Sequence, residues 1–147
     1  MQVVVDHLSG VRRGERQVLD ASPRVLFGRH PDAAVEFGAE DDLDASVRHA
    51  ELRAFAGGWV LVDLGSSNGT FVNGLRVSES AVTPGQAMTV QFGPAGPRVR
   101  VVLVPAEAVA GLPPLVLPKP ARPRWWWPLV AVIAAAVVGV AIVVLGG

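Results

Sequence analysis

The chain contains no cysteine in its 147 residues. Disulfides and thiolate metal sites are therefore excluded. It also has no excess of charge, with a formal net of zero at pH 7. Residues 1–104 hold 10 Arg against 12 Asp and Glu, a net of −2. Residues 105–147 hold three cations against one acid, a net of +2. Neither part has the positive field of a nucleic-acid binder. Helical periodicity is absent before Pro105. The first residues, Met1–His7, lack the basic start of a secretory signal, and Asp6 interrupts their apolar run.

Short extended runs fill the first 104 residues. Val3–Val5, Gln17–Leu19, Val25–Phe27, Ala50–Ala56, Trp59–Asp63, Phe71-Val72, Leu75–Val77, Met88–Phe92 and Val99–Val104 are β-branched or alternating. Gly57-Gly58 and Asn73-Gly74 read as two-residue hairpin turns, and Thr83-Pro84-Gly85 as a further turn. About ten short strands with frequent turns predict an all-β sandwich.

Three segments carry the chemistry: Phe27-Gly28-Arg29-His30-Pro31-Asp32, then Ser46-Val47-Arg48-His49-Ala50-Glu51-Leu52, then Asp63 through Gly74 with Gly65-Ser66-Ser67-Asn68-Gly69-Thr70 at its centre. They combine a planar cation, several hydroxyls and a side-chain amide. Arg presents a donor fork that fits phosphate bidentately. Asn can donate to a carbonyl and accept from an N–H, so it can grip a main chain.

In this order and spacing the segments resemble the forkhead-associated (FHA) domain, a phosphothreonine-binding module, over roughly residues 1–104. The resemblance implies that Arg29, Ser46 and Ser67 face the phosphate and that Asn68 clamps the peptide backbone. Arg48 and Ser66 stand as additional binding candidates. It assigns His49 to bracing between loops. Gly28, Gly65 and Gly69 are structural, meeting a need for positive φ or close backbone approach. Val47 departs from the pattern, because many FHA domains place Arg or Asn after the motif Ser. Arg48 is its neighbour, but adjacent residues on an extended chain point to opposite sides.

Ser46, His49 and Asp63 do not read as a catalytic set, since no nucleophile elbow surrounds them. Glu40-Asp41-Asp42-Leu43-Asp44 is no calcium loop, because Ala45 stands where a glycine is needed and helices do not flank it. It reads as a solvated acidic loop that repels acidic peptides or favours basic residues beside the phosphothreonine. The expectation is a non-enzyme with no metal and no cofactor.

The C-terminal part differs in kind. Pro105 to Arg124 contains six prolines and reads as a semi-rigid linker of residues 105–124, reaching about 60 Å if extended. Trp125 to Gly147 carries no charge and, as a helix, would cover roughly 34 Å, enough to cross a bilayer. Three tryptophans suit the interface, and Lys119, Arg122 and Arg124 precede the run. Residues 125–147 are thus expected to form a transmembrane helix, with the sandwich on the cytoplasmic side. The expected function is a membrane-anchored reader of phosphothreonine proteins, its partners being a Ser/Thr kinase or the substrates of one. The alternatives are a phospho-independent scaffold in a secretion or division complex, and the regulatory front end of a longer membrane enzyme.

Overall fold

The computed structural model describes residues 1–119. The expected transmembrane helix and the end of the linker lie outside the described residues. Among the described residues no helix is long and apolar enough to cross a membrane.

Eleven strands form two sheets: β1 (Gln2–His7), β2 (Arg16–Asp20), β3 (Arg24–Gly28), β4 (Val35–Glu36), β5 (Ala50–Phe55), β6 (Gly58–Asp63), β7 (Thr70–Val72), β8 (Leu75–Val77), β9 (Glu79–Val82), β10 (Met88–Phe92) and β11 (Arg98–Val104). One sheet runs β2-β1-β11-β10-β7-β8 and the other β4-β3-β5-β6-β9. Neighbours are antiparallel, except that the short β4 pairs parallel with β3. The sandwich closes on alternate residues, among them Val3 and Val5 of β1, Val25 and Phe27 of β3, Val90 and Phe92 of β10, and Val99, Val101 and Leu103 of β11. Each is buried from water, which supplies the main driving force for joining the sheets. The Phe27 and Phe92 rings stack at 5.3 Å across the gap.

β1 is buried on both faces. Its inner face meets the core. Its outer residue Val4 packs with Val102 and Val104 of β11 against Ala108, Val109 and Leu112. Those three belong to the segment after Pro105, which was expected to be a semi-rigid linker. Instead Ala106–Gly111 form a 3-10 helix. The prolines explain this. Pro105 starts the turn with its fixed φ, and the next proline is Pro113, so every N–H between them is available. Ala108 N–H donates to the Pro105 carbonyl and Leu112 N–H to that of Val109. Further along, Arg16 donates to the Pro113 carbonyl at 2.8 Å. Met1–Leu117 form one compact unit, so the strap from Pro105 to Leu117 is part of the domain's surface.

The hairpin between β5 and β6 is offset by one residue from its expected position. Phe55 pairs with Gly58, and the turn residues are Ala56 and Gly57, with φ of 49° and 78°. Gly58 is the first residue of β6. The β7–β8 hairpin has Asn73 and Gly74 in the turn, both at positive φ, the geometry of a type I′ turn that matches strand twist.

Candidate functional site

The site lies at one end of the sandwich, where β3 ends, β5 begins, β6 ends and β7 begins. Its loops are held together by a buried histidine. His49 is fully buried and packs edge-on against Phe92 at 5.1 Å. Its Nδ1 accepts from the Ser46 N–H at 2.9 Å. That leaves the proton on Nε2, which donates to the Gly69 carbonyl at 2.9 Å. One imidazole thus joins the β4–β5 loop to the β6–β7 loop. Burial holds its pKa below the ordinary value, only partly offset by the Gly69 carbonyl and the Asp63 carboxylate. Neutral imidazole is the form both bonds require.

Asp63, at the end of β6, organises the second loop. One carboxylate oxygen accepts from the N–H groups of Gly65 and Ser66, each at 2.9 Å. The other accepts from the hydroxyls of Ser66 and Thr70. Burial alone would raise this carboxyl, but the bonds from Ser66, Thr70 and the two backbone amides together hold it below the usual carboxylate value. Ser66 also accepts from the Gly69 N–H at 3.0 Å. Its hydroxyl is therefore committed to shaping the loop, which distinguishes it from Ser67.

Gly28 is required for close approach. A Cβ there would sit 2.1 Å from the Val47 carbonyl oxygen. Without one, the Arg29 N–H donates to the Ser46 carbonyl and the His30 N–H to that of Val47. This carries Arg29 beside Ser46. The Arg29 guanidinium donates from Nε to the Ala45 carbonyl at 2.6 Å and from Nη1 to the Ala39 carbonyl at 3.1 Å. Nη2 has no protein acceptor among the described residues. No carboxylate neutralises this cation, and the side chain is half-exposed.

The other candidates join it through short bonds. The Ser67 N–H donates to the Ser46 hydroxyl oxygen at 3.1 Å, which fixes the first loop to the second and leaves the Ser46 hydroxyl proton free to turn outward. Asn68 donates to the Asp44 carbonyl at 3.0 Å, which sets its amide plane. Arg29, Ser46, Ser67 and Asn68 are therefore gathered at one place. Arg48 is not. It is exposed and lines a shallow pocket with Arg24, Leu26, Asp32 and Ala34, toward the outer face of β3. Val47 is 46% exposed and puts an apolar surface at the rim. Gly65 adopts a φ of 74° and Gly69 one of 89°.

The sequence pattern gave no sign of Arg76. β7 and β8 pair Phe71 with Arg76, so the two side chains share a face, and Arg76 reaches back toward Gly69. Its Nε would be 2.7 Å from a Cβ at Gly69. A second guanidinium thus borders the loop that carries Asn68. The signal was hidden in hairpin register, not in motif spacing.

Residues 25–93 match the family model of the FHA domain. Among curated proteins, the glycogen accumulation regulator GarA of Mycolicibacterium smegmatis is 38% identical over 81 residues, covering 55% of this chain and 49% of its own length. The oxoglutarate dehydrogenase inhibitor of Corynebacterium glutamicum is 44% identical over 64 residues, covering 44% of this chain and 42% of its own. The chain thus spans about half the length, or slightly less, of the curated relatives it matches. Among solved structures, an FHA domain characterised for phosphothreonine-dependent interactions superposes with a TM-score of 0.57 at 28% identity, covering 71% of this chain and 99% of its own. The FhaA FHA domain, solved in complex with the intracellular domain of Rv3910, gives 0.54 at 28% identity, with 67% and 98% covered. The sandwich described above has an FHA-type fold, and its residues 25–93 are similar to the FHA family.

Proposed function

We propose that this chain is a phosphothreonine reader that holds phosphorylated proteins at a membrane. The observation that carries the reading is the convergence of Arg29, Ser46, Ser67 and Asn68 through bonds between loops. A phosphate at pH 7 bears nearly two charges and three strong acceptors. Arg29 offers an uncompensated cation with a free Nη2, and Ser46 and Ser67 offer neutral hydroxyls. Asn68 stands beside them to hold the peptide main chain. The relatives are by name a regulator and an enzyme inhibitor, and the FhaA domain was solved with a protein bound. Both points favour a binding module over an enzyme, with Ser/Thr-kinase substrates or the autophosphorylated kinase as partners. A phosphothreonine peptide library screened on the full chain, with unphosphorylated controls, tests it. Selection that ignores the phosphate would overturn it.

The membrane part of the proposal rests on residues 125–147, which hold no charge and follow Lys119, Arg122 and Arg124. The FHA domain would then lie in the cytoplasm, where kinases phosphorylate. Retention of the full chain in membranes after alkaline carbonate washing, and protection of its N-terminal domain from external protease, are the expected outcomes. Release by carbonate would remove the anchor.

Val47 favours a second reading, a phospho-independent scaffold. An exposed apolar side chain next to Ser46 removes a polar contact and offers a surface for a protein partner. In that case affinity would not change on dephosphorylation.

A further inference from the structure

Charges of both signs border the loop cluster. On one side is the acidic loop that Asn68 and Arg29 touch through the carbonyls of Asp44 and Ala39. Its four acids are not equivalent. Asp42 is buried and accepts from the Gly38 N–H, and Asp44 accepts from the Ala95 N–H. Glu40 and Asp41 are the exposed pair. The cluster is also bordered by Arg76, on the edge strand β8.

The position of Arg76 follows from register. Phe71 and Arg76 are cross-strand partners, and Gly69 lies two residues before Phe71, on the same face of the sheet. A long side chain at 76 therefore lies diagonally over 69. Its Nε, Cζ and Nη2 would be 2.7, 3.0 and 3.2 Å from a Cβ on Gly69, so the guanidinium lies flat against the glycine. Any side chain at 69 would displace it. Five arginines of the domain are paired, Arg16 and Arg100 with Asp6, Arg12 with Glu15, and Arg24 and Arg53 with Glu51, whereas Arg29, Arg48, Arg76 and Arg98 have no ion pair among the described residues. Arg76 has neither hydrogen bond nor ion pair among the described residues. A cation has been brought to the rim of the site, one residue from the peptide clamp, with all its donors unfilled.

We propose that Arg76 is a specificity-determining residue that pairs with an acidic side chain of the bound phosphopeptide. The proposal rests on the reading of this site as a phosphothreonine reader and names the peptide class it takes. The ligand carries Asp or Glu on the side of the phosphothreonine that passes over Gly69. It carries no acid where it passes the exposed Glu40 and Asp41, which repel one. Arg suits the task because its planar fork accepts a carboxylate bidentately. Because the pair is exposed, it selects among peptides and does not supply the bulk of the affinity.

The test uses the full chain in mild detergent and phosphothreonine peptides in which each flanking position is in turn Asp, Ala or Lys. Binding is read by fluorescence anisotropy. Wild type is expected to favour Asp over Lys at one flanking position by about two- to fivefold, the scale of an exposed ion pair, with the preference weakening in high salt. Arg76→Glu should reverse that preference and Arg76→Gln should flatten it. Both variants should still require the phosphate and melt like wild type. Phosphate-dependent binding with the same flanking preferences in all three proteins would overturn the role of Arg76 and leave the phosphothreonine reading standing. Wild-type binding that ignores the phosphate would overturn that reading, and this one with it.

Discussion

The loop end of the sandwich and the outer face of the β2-β1-β11 ribbon use the same residue types in opposite states. On the outer face Asp6 is nearly buried, and Arg16 bonds it twice, at 2.6 and 2.9 Å. Arg100 bonds it as well. Burial would raise the Asp6 carboxyl, but the two arginines outweigh it and hold it below its ordinary value. Arg16 then fastens Pro113, and the strap covers the valines beside it. Asp6, Arg16 and Arg100 are thus matched to one another, and the strap covers the face beside them. At the loop end Arg29 and Arg76 meet no carboxylate, while Asp42, Asp44 and Asp63 are engaged by loop amides and hydroxyls. On the proposed reading, the unmatched Arg29 and Arg76 receive an anionic ligand, while Arg16 and Arg100, matched to Asp6, fasten the chain to itself.

The sharpest way to break this contrast is to remove one cation or one acid from each end. Arg29→Ala should cost about 2–4 kcal/mol of phosphopeptide binding, the scale for losing a charge partner at an interface. Its melting temperature should stay near wild type, because the side chain lies outside the core. Asp6→Ala should do the reverse. Deleting a buried ion partner strands two arginines, but these are a quarter to a third exposed and can rehydrate. The expected loss is about 2–3 kcal/mol of stability, at the low end for buried pairs, with phosphopeptide affinity unchanged. If Asp6→Ala weakened binding as much as Arg29→Ala, the two regions would not be separate devices.

His49 is where the two kinds of effect should meet. His49→Ala removes the bonds to Ser46 and Gly69 and should cost about 1–3 kcal/mol of stability, with binding falling in step. Acid should mimic it. The folded pKa of His49 lies below its ordinary 6.5, so its contribution is complete above that value. It is lost as the pH falls through the lower folded pKa. Protonating Nδ1 also displaces the Ser46 N–H, so binding should weaken over the same range. His7, likewise buried and lowered, adds to the stability loss but not to the binding loss. A further decline belongs below about 3.8, where Asp6 and Asp63 begin to protonate. Denaturant midpoints and titrations from about pH 7 down to about pH 2 would separate these contributions.

Much of the site was legible because its parts are dense in sequence. Ser46 and His49 are three residues apart, and Ser66 through Thr70 are contiguous. A motif that short survives as a pattern. Register-dependent features do not. Arg76 reaches the site because Phe71 pairs with it. The strands β4 and β9 are too short or too polar to show alternation, and tertiary pairing with β3 and β6 makes them. The strap was masked by its prolines, since composition averaged over residues 105–124 hid the proline-free stretch that docks on Val4 and Val102. At the β5–β6 hairpin the two glycines drew attention one residue too far along, and Ala56 took the left-handed position.

That last difference gives the smallest expected effect. A non-glycine residue at a φ of 49° is disfavoured by roughly 1 kcal/mol or more, and Asn tolerates the region better than Ala. Ala56→Asn should raise stability by about 0.5–1 kcal/mol. Binding should not change, because the turn lies at the opposite end of β5 from His49.

The central claim is that the loop end takes phosphothreonine. Calorimetric titration of the full chain with one peptide in matched phosphorylated and unphosphorylated forms tests it most directly. Measurable affinity for the phosphothreonine form, with little or none for the unmodified peptide, is the predicted result. Equal affinity for the two forms would contradict it.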